Sequence, residues 1–309
     1  MSDINDKLEF DQMQLRNKLA EAASKIAKRD EETRFAMATE VVKFLSNKIE
    51  QTDLAGLFLG SDTFQLNETA KYELDGDVDA YIHTPGSFAP MTQPRNKEFT
   101  IPQEMISAHI MLPLQQLQAG RYGTIADQID SAQRAIQGQV NKIVLDTVNA
   151  AVPSTSTLGN YAAVSGVSLT KAAIEAGINY IEDQTGGAKL IAGRRNKLFD
   201  ASNFNTTTST LDIFPESIKE DIIRRGALSV YRGLPMFGYK QYILRDGRGT
   251  LDNRSVYVVG QDVGRFATWS SMQFVDDLEV GTLNWHIHAW ILIGAAVFFP
   301  ERIYRMYIG

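Results

Sequence analysis

Three groups of side chains have the types and spacing to do chemistry: Asp75, Asp77 and Asp79; His286 and His288; and Arg194, Arg195 and Lys197. Alternating carboxylates open the calcium loop of an EF-hand, which also needs a glycine at its sixth position and a bidentate glutamate at its twelfth. Here those positions hold Ala80 and Gly86, so the loop fails twice. The same alternation describes a solvated strand face, and that is the expected role of the three aspartates. Two histidines two apart on a strand point to one side and could share a metal ion, but no third ligand follows at zinc spacing. With Trp285, Ile287 and Trp290 around them, His286 and His288 are expected to be hydrogen-bonded sheet residues. The basic triplet sits at a strand-to-helix turn, where it could touch an anion but where such charges are usually solvated.

The signatures of common active sites are missing. There is no Gly-x-Ser-x-Gly elbow, no His-Glu-x-x-His helix and no Gly-x-Gly-x-x-Gly fingerprint, and no Gly-Lys dipeptide from which a Walker A loop could be built. Zero cysteines remove thiolate nucleophiles, disulfides and cysteine-built metal sites, which fits synthesis in a reducing cytoplasm. The net charge of -6, from 31 basic and 37 acidic residues, provides no broad positive field for nucleic-acid phosphates. The expectation is therefore no catalytic, cofactor-binding or metal residue, with an enzyme assembled from distant residues left as a minor alternative.

The elements that carry these residues are uneven along the chain. From Ile4 to about Asn47 the sequence lacks Gly and Pro and repeats apolar residues at helical spacing, first Leu8, Leu15, Leu19, Ala22 and Ile26. After a charged break at Lys28–Thr33 a second stripe follows, Phe35, Ala38, Val42, Leu45 and Ile49, which needs a partner surface in this or a neighbouring subunit. The polar, acidic N-terminus has neither the basic start nor the apolar block of a secretory signal. The longest apolar run, Ala289–Phe299, is too short for the roughly twenty residues a membrane helix needs, so no membrane span is expected.

Residues Leu59–Pro113 hold prolines at 85, 90, 94, 102 and 113, more than half of the chain's 9. Tyr72, Leu74, Val78, Ala80 and Ile82 alternate with Lys71, Glu73, Asp75, Asp77 and Asp79, and a second alternation runs through Phe99 and Ile101. This pattern predicts a long two-stranded arm with a loop tip over His83–Lys97. An isolated hairpin is marginal in water, so the arm is expected to lie on another surface, with Tyr72, Leu74, Val78 and Ile82 and the Asp75, Asp77, Asp79 edge as its contact residues.

Thr124–Val152 carries the strongest helical stripe, Ile125, Ile129, Ala132, Ile136, Val140, Ile143 and Val148, stopped by Pro153. Gly138 sits mid-helix, either tolerated at a close contact or serving as a bending point. Beyond it a mixed unit over 154–270 is expected: a helix from Thr170 to Glu182, a strand at Lys189–Ala192, a helix at Asn196–Ala201, a further helix at Glu216–Arg225 and a strand at Ser255–Val259. Apolar strands close the chain, so the middle unit looks inserted between parts of another. The fold class is α+β.

This order of parts resembles the HK97-fold major capsid proteins of tailed phages over nearly the whole chain, as do the stretch Arg248–Val259 and the ending Val297-Phe-Phe-Pro-Glu-Arg-Ile-Tyr. The resemblance implies an N-terminal helical arm at 1–58, an extended E-loop hairpin at 59–103, and a P domain at 104–153 with its spine helix at 124–152. It further implies an A domain at 154–270 and closing strands at 271–309 that complete the core. The implied function is a non-enzymatic major capsid subunit, without cofactor or membrane, that self-assembles into pentamers and hexamers of an icosahedral head around double-stranded DNA bound without sequence specificity. Implied partners are further copies of the chain, cement or decoration proteins, portal and scaffold; the implied location is the virion, after synthesis in the host cytoplasm. E-loops would lap over adjacent subunits, and Gly138 would bend as the spine helix changes on expansion. Lys71 and Lys97 are available in the arm for the covalent link some relatives make, but no partner asparagine can be matched. Removal of the N-terminal segment is not expected. The same fold builds encapsulin compartments, the first alternative; a metal-dependent enzyme using His286 and His288 is the second.

Overall fold

In the computed structural model the described residues are 31–49, 54–74, 97–113, 115–116, 122–203, 230–239, 251–252, 254–279 and 284–309. The helical segment expected before residue 31, the helix expected at Glu216–Arg225, and Asp75, Asp77, Val78, Asp79 and Ile82 lie outside them.

The longest helix follows the strongest stripe. Helix α3, Tyr122–Ala151, takes over from α1, Glu31–Ile49, and the short α2, Leu54–Phe58. At about 1.5 Å per residue α3 is roughly 45 Å long. Ile129, Ile136, Val140, Val144 and Val148 bury one face. Gly138 is buried and the helix runs unbroken through it. Gln133, Gln137 and Asn141 add a buried polar line at four-residue spacing. Asn141 Oδ1 accepts a hydrogen bond from the Leu54 N–H at 3.4 Å, which ties the start of α2 to the middle of α3.

Helix α1 packs against α3 and against the sheet strand Gly264–Glu279 through Met37, Ala38, Val41 and Val42. Ala38 and Val42 of the expected stripe are buried, and Met37 and Val41 widen the band. Phe35 is 58% exposed, resting its ring 5.5 Å from Phe274. The partner that the stripe needs belongs to the same subunit, and it is a sheet plus a helix. That combination favours a wider apolar band than a heptad seam.

Strands β1 (Gly60–Phe64), β4 (Glu104–Pro113), β10 (Gly264–Glu279) and β11 (Asn284–Val297) form a sheet in the order β1-β10-β11-β4. On its inner face Ile106, Ile110, Leu112, Trp285, Ile287 and Ile291 meet α3 and α1 in one core. Among the described strands, β2 (Lys71–Leu74) and β3 (Lys97–Thr100) pair only with each other. The two-stranded arm is accordingly shorter than Leu59–Pro113, because β1 runs parallel to β10 and β4 antiparallel to β11.

The second sheet has the order β5 (Tyr161–Val164), β12 (Ile303–Ile308), β9 (Ser255–Val259), β6 (Leu190–Arg194), β8 (Leu234–Tyr239), β7 (Val230–Tyr231). Every residue of β9 is buried, as a strand covered on both faces should be. Helix α4, Lys171–Thr185, covers one face, with Ile174, Ile178 and Ile181 packed near Val256, Val258 and Met306. It is capped as its sequence predicts: the Thr170 side chain accepts from the Ala173 N–H, and Gly186 closes it in a left-handed conformation at φ 74°. Gly177 lets the helix approach the sheet, since a Cβ there would stand 2.8 Å from the Tyr304 ring. The short helix α5, Arg195–Phe199, follows β6, and its Lys197 ammonium donates to the Val167 carbonyl.

The two sheets are joined at the end of α3. Arg305, on β12 and 13% exposed, donates to the Asn149 and Val152 carbonyls at 3.5 and 3.2 Å, to Ser255 Oγ at 3.0 Å and to Asp252 at 3.3 Å. A helix C-terminus presents carbonyls without intrahelical partners and a partial negative charge, so a guanidinium is well suited to it. Tyr257 adds a second link, its hydroxyl donating to Asn149 Oδ1 at 2.7 Å while its ring meets Phe58 edge-on. Burial pushes the Tyr257 hydroxyl well above the ordinary tyrosine range, so it stays a donor.

Arg305→Ala should cost about 3 kcal/mol in urea unfolding followed by tryptophan fluorescence, because Asp252 and the helix carbonyls lose their donor together. Adding Asp252→Ala should recover part of that loss.

Candidate intersubunit surface

Residues that are register partners share a sheet face, so the outer face of the four-stranded sheet can be followed row by row. One row holds Met111, His286 and Asp277; the next holds His109, His288 and Val275; the next holds Ser107, Trp290 and Gln273. Past Gln273 the register of β10 against β11 shifts, and Trp269 then lies opposite Leu292. The shift adds residues to β10 and bends that end of the sheet.

The bent end is covered by the foot of the hairpin. Trp269 is buried with Ala70, Ile101, Ala267 and Phe298, and Phe64, Tyr72 and Phe99 pack around them. Tyr72 is half-buried, its ring 6.1 Å from Phe64 and 5.2 Å from Phe298, and its hydroxyl donates to Asp62 Oδ2 at 2.6 Å. Burial, then the hydrogen bond and charge of Asp62, raise the Tyr72 hydroxyl far above its usual range. The Trp269 indole N–H donates to the Glu68 carbonyl at 2.7 Å. Gly294 is required beneath this crossing, since a Cβ there would strike the Pro102 carbonyl and the Ile101 side chain. The apolar side of β2–β3 is thus seated on its own subunit. The other side carries the exposed Lys71–Glu98 ion pair at 2.7 Å, which holds Lys71 in its charged form. Tyr72 faces Phe99 and Leu74 faces Lys97 in the hairpin register.

The far end of the same face is open. Met111 and Val275, 49% and 55% exposed, border three histidines there, while Met105, 64% exposed, lies in the row of Leu292 and Trp269 at the bent end. His286 and His288 come together as their spacing predicts, and His109, which sequence reasoning missed, joins them from β4. His109 Nε2 lies 2.8 Å from His286 Nδ1, and the His109 ring stacks on His288 at 3.9 Å between centroids. The signal was the alternation of Met105, Ser107, His109 and Met111 against Ile106, Ala108, Ile110 and Leu112, which puts His109 outward. Its register against β11 is not a local property.

Among the described residues no three His, Cys or acidic side chains are arranged to hold a metal ion. Nor is any described helix long and apolar enough to cross a membrane.

Two sheets, a long helix between them and a hairpin seated on one sheet face describe an arrangement found in solved phage structures. A chain from Microbacterium phage Oxtober96 aligns over 83% of this chain and 91% of its own length, with a TM-score of 0.63 and 9% identity. The chain has the HK97-type capsid fold. The capsid of Helicobacter pylori bacteriophage KHP30 matches over 80% and 87% of the two chains, with a TM-score of 0.57 and 10% identity. A virus-like particle from Pyrococcus furiosus matches over 86% and 97%, with a TM-score of 0.53 and 10% identity. No protein-family model and no curated protein matches the sequence. The HK97-type fold is thus present at an identity where only architecture is retained.

Tyr72→Phe should cost about 1 kcal/mol by removing the bond to Asp62, and Tyr72→Ala about 2–3 kcal/mol by emptying the ring's place at the hairpin foot. In urea unfolding Tyr72→Ala should also change Trp269 emission before the main transition.

Proposed function

We propose that this chain is the major capsid protein of a tailed phage, a structural subunit that assembles as pentamers and hexamers into an icosahedral head around double-stranded DNA. The observation that carries the reading is the alignment with phage capsid chains over four-fifths or more of both lengths, joined to an open apolar sheet face beside a hairpin. Domain roles follow the same reading: N-terminal arm at 1–58, E-loop at 59–103, P domain at 104–153, A domain at 154–270 and closing strands at 271–309. Leu74, Asp75, Asp77, Val78, Asp79 and Ile82 would contact an adjacent subunit, while Tyr72 anchors the foot. The net charge of -6 suits a shell that encloses nucleic acid without gripping it. Portal, scaffold and cement proteins would be its partners, and the virion its destination after synthesis in the host cytoplasm.

A second reading, an encapsulin-like compartment, is favoured by one observation: the virus-like particle from Pyrococcus furiosus is covered over 97% of its chain. The particle's contents separate the two, DNA for a head and a cargo protein for a compartment.

Deleting Asp75–Arg95 should abolish stable shells while the subunit core still folds. An unchanged sedimentation profile after that deletion would defeat the proposed role of the arm. Gly138→Ala, which favours straight helix by about 1 kcal/mol, should hold particles at one diameter if Gly138 is the bending point of α3. Equal diameters for wild-type and variant particles before and after maturation would leave Gly138 as a packing residue only.

A further inference from the structure

We propose that His109, His286 and His288 form a proton-operated contact between β4 and β11. It is closed while one hydrogen is shared across the His109–His286 pair and opened when both rings are charged.

The geometry sets the proton count. His109 Nε2 and His286 Nδ1 face each other at 2.8 Å, a distance that holds one hydrogen between them. With both rings neutral, one nitrogen donates and the other accepts. One proton on the pair leaves that bond intact, because one facing nitrogen still donates to the other; the remaining His286 nitrogen, Nε2, faces the Glu279 carboxylate at 3.4 Å. A second proton, on His109, puts hydrogens on both facing nitrogens. The bond then becomes a contact between like charges, with His288 stacked on the other side of His109.

The surroundings resist that second proton. The described carboxylates in the histidine rows and the row beyond are Asp277, opposite His286, and Glu279, opposite Asn284, and both are on β10. The row of His109 holds only His288 and Val275. Met111 flanks it on β4 toward Glu279, and Ser107, Trp290 and Gln273 form the row on its other side. On the inner face Asp276 accepts from the Trp285 indole at 3.3 Å and is turned away from the cluster. Burial, then His288 and His286, lower the proton affinity of His109 below that of a free histidine. The unfolded chain therefore binds this proton more readily than the folded one. The contact's stability is complete above the ordinary histidine range and declines as pH falls below it.

The consequence is local. Among the described strands β4 is at the edge of its sheet, paired to β11, and it leads back through Ile101 into the hairpin. Acid should loosen β4 around His109, in the half of the strand toward Pro113, and leave the second sheet unaffected. The inference concerns the subunit itself and stands apart from any assembly.

The test is hydrogen exchange by mass spectrometry on the full chain at pH 7.5 and pH 5.0, corrected for intrinsic exchange rates. Peptides covering Glu104–Pro113 should open at least about threefold more at pH 5.0, while those covering Ile303–Ile308 should not change. His109→Gln should remove most of the pH effect; should that variant not fold, His286→Gln serves the same purpose from the other side of the bond. No acceleration in 104–113, equal acceleration in 303–308, or a full pH effect in a folded variant would each overturn the proposal.

Discussion

A guanidinium on the last strand holds the end of the longest helix, and the relation between the two sheets depends on it. Arg305 reaches the carbonyls of Asn149 and Val152 while pairing with Asp252 and Ser255, so one side chain joins α3, β12 and the segment entering β9. The chain crosses between the sheets several times, and the crossing from α3 to β5 passes directly beside Arg305. Helix α3 leaves the four-stranded sheet and delivers the chain to the six-stranded one. After β11 returns through the first sheet, β12 inserts between β5 and β9 in the second. Helix α3 therefore has both its buried face and its C-terminal carbonyls committed, the one to the first sheet and the other to the second.

The outer face of the first sheet is divided by one irregularity. Where the register of β10 shifts near Trp269, the sheet bends and the hairpin foot closes over it with Phe64, Tyr72, Phe99 and Phe298. Beyond that point the face lies open, lined by Met111, Val275 and three histidines. Single exposed apolar residues are ordinary on protein surfaces, and a contact role for this stretch rests on the capsid reading. The hairpin is anchored by its own subunit at the foot, so whatever its outer part touches is approached from a fixed base.

Much of this architecture was legible in the sequence wherever the signal was local. The stripe and Pro153 located α3 to within two residues, Thr170 marked the start of α4, whose end falls three residues past the expected Glu182, and Ser255–Val259 is the strand expected there. What depended on distant partners was not legible. Residues 104–113 alternate like an arm strand, and only their pairing with β11, far along the chain, makes them part of a sheet. Phe35 lies on the heptad spacing yet outside the buried band, because α1 packs on a sheet and a helix at once. His109 is an outward histidine by its alternation, but its meeting with His286 is a matter of register. Arg305 is one of several basic residues near the terminus until the fold places carbonyls in front of it. The aspartates at 75, 77 and 79 and the apolar residues between them lie outside the described residues, and their contact role rests on the capsid reading.

On the capsid reading this fold is a shell subunit whose hairpin, rooted on Trp269, reaches a neighbouring copy. Electron cryo-microscopy of the purified chain should then show closed angular particles in which density for residues 75–96 lies against the adjacent subunit. Monodisperse 34.4 kDa monomers at assembly concentrations, or shells in which that segment folds back on its own subunit, would contradict it.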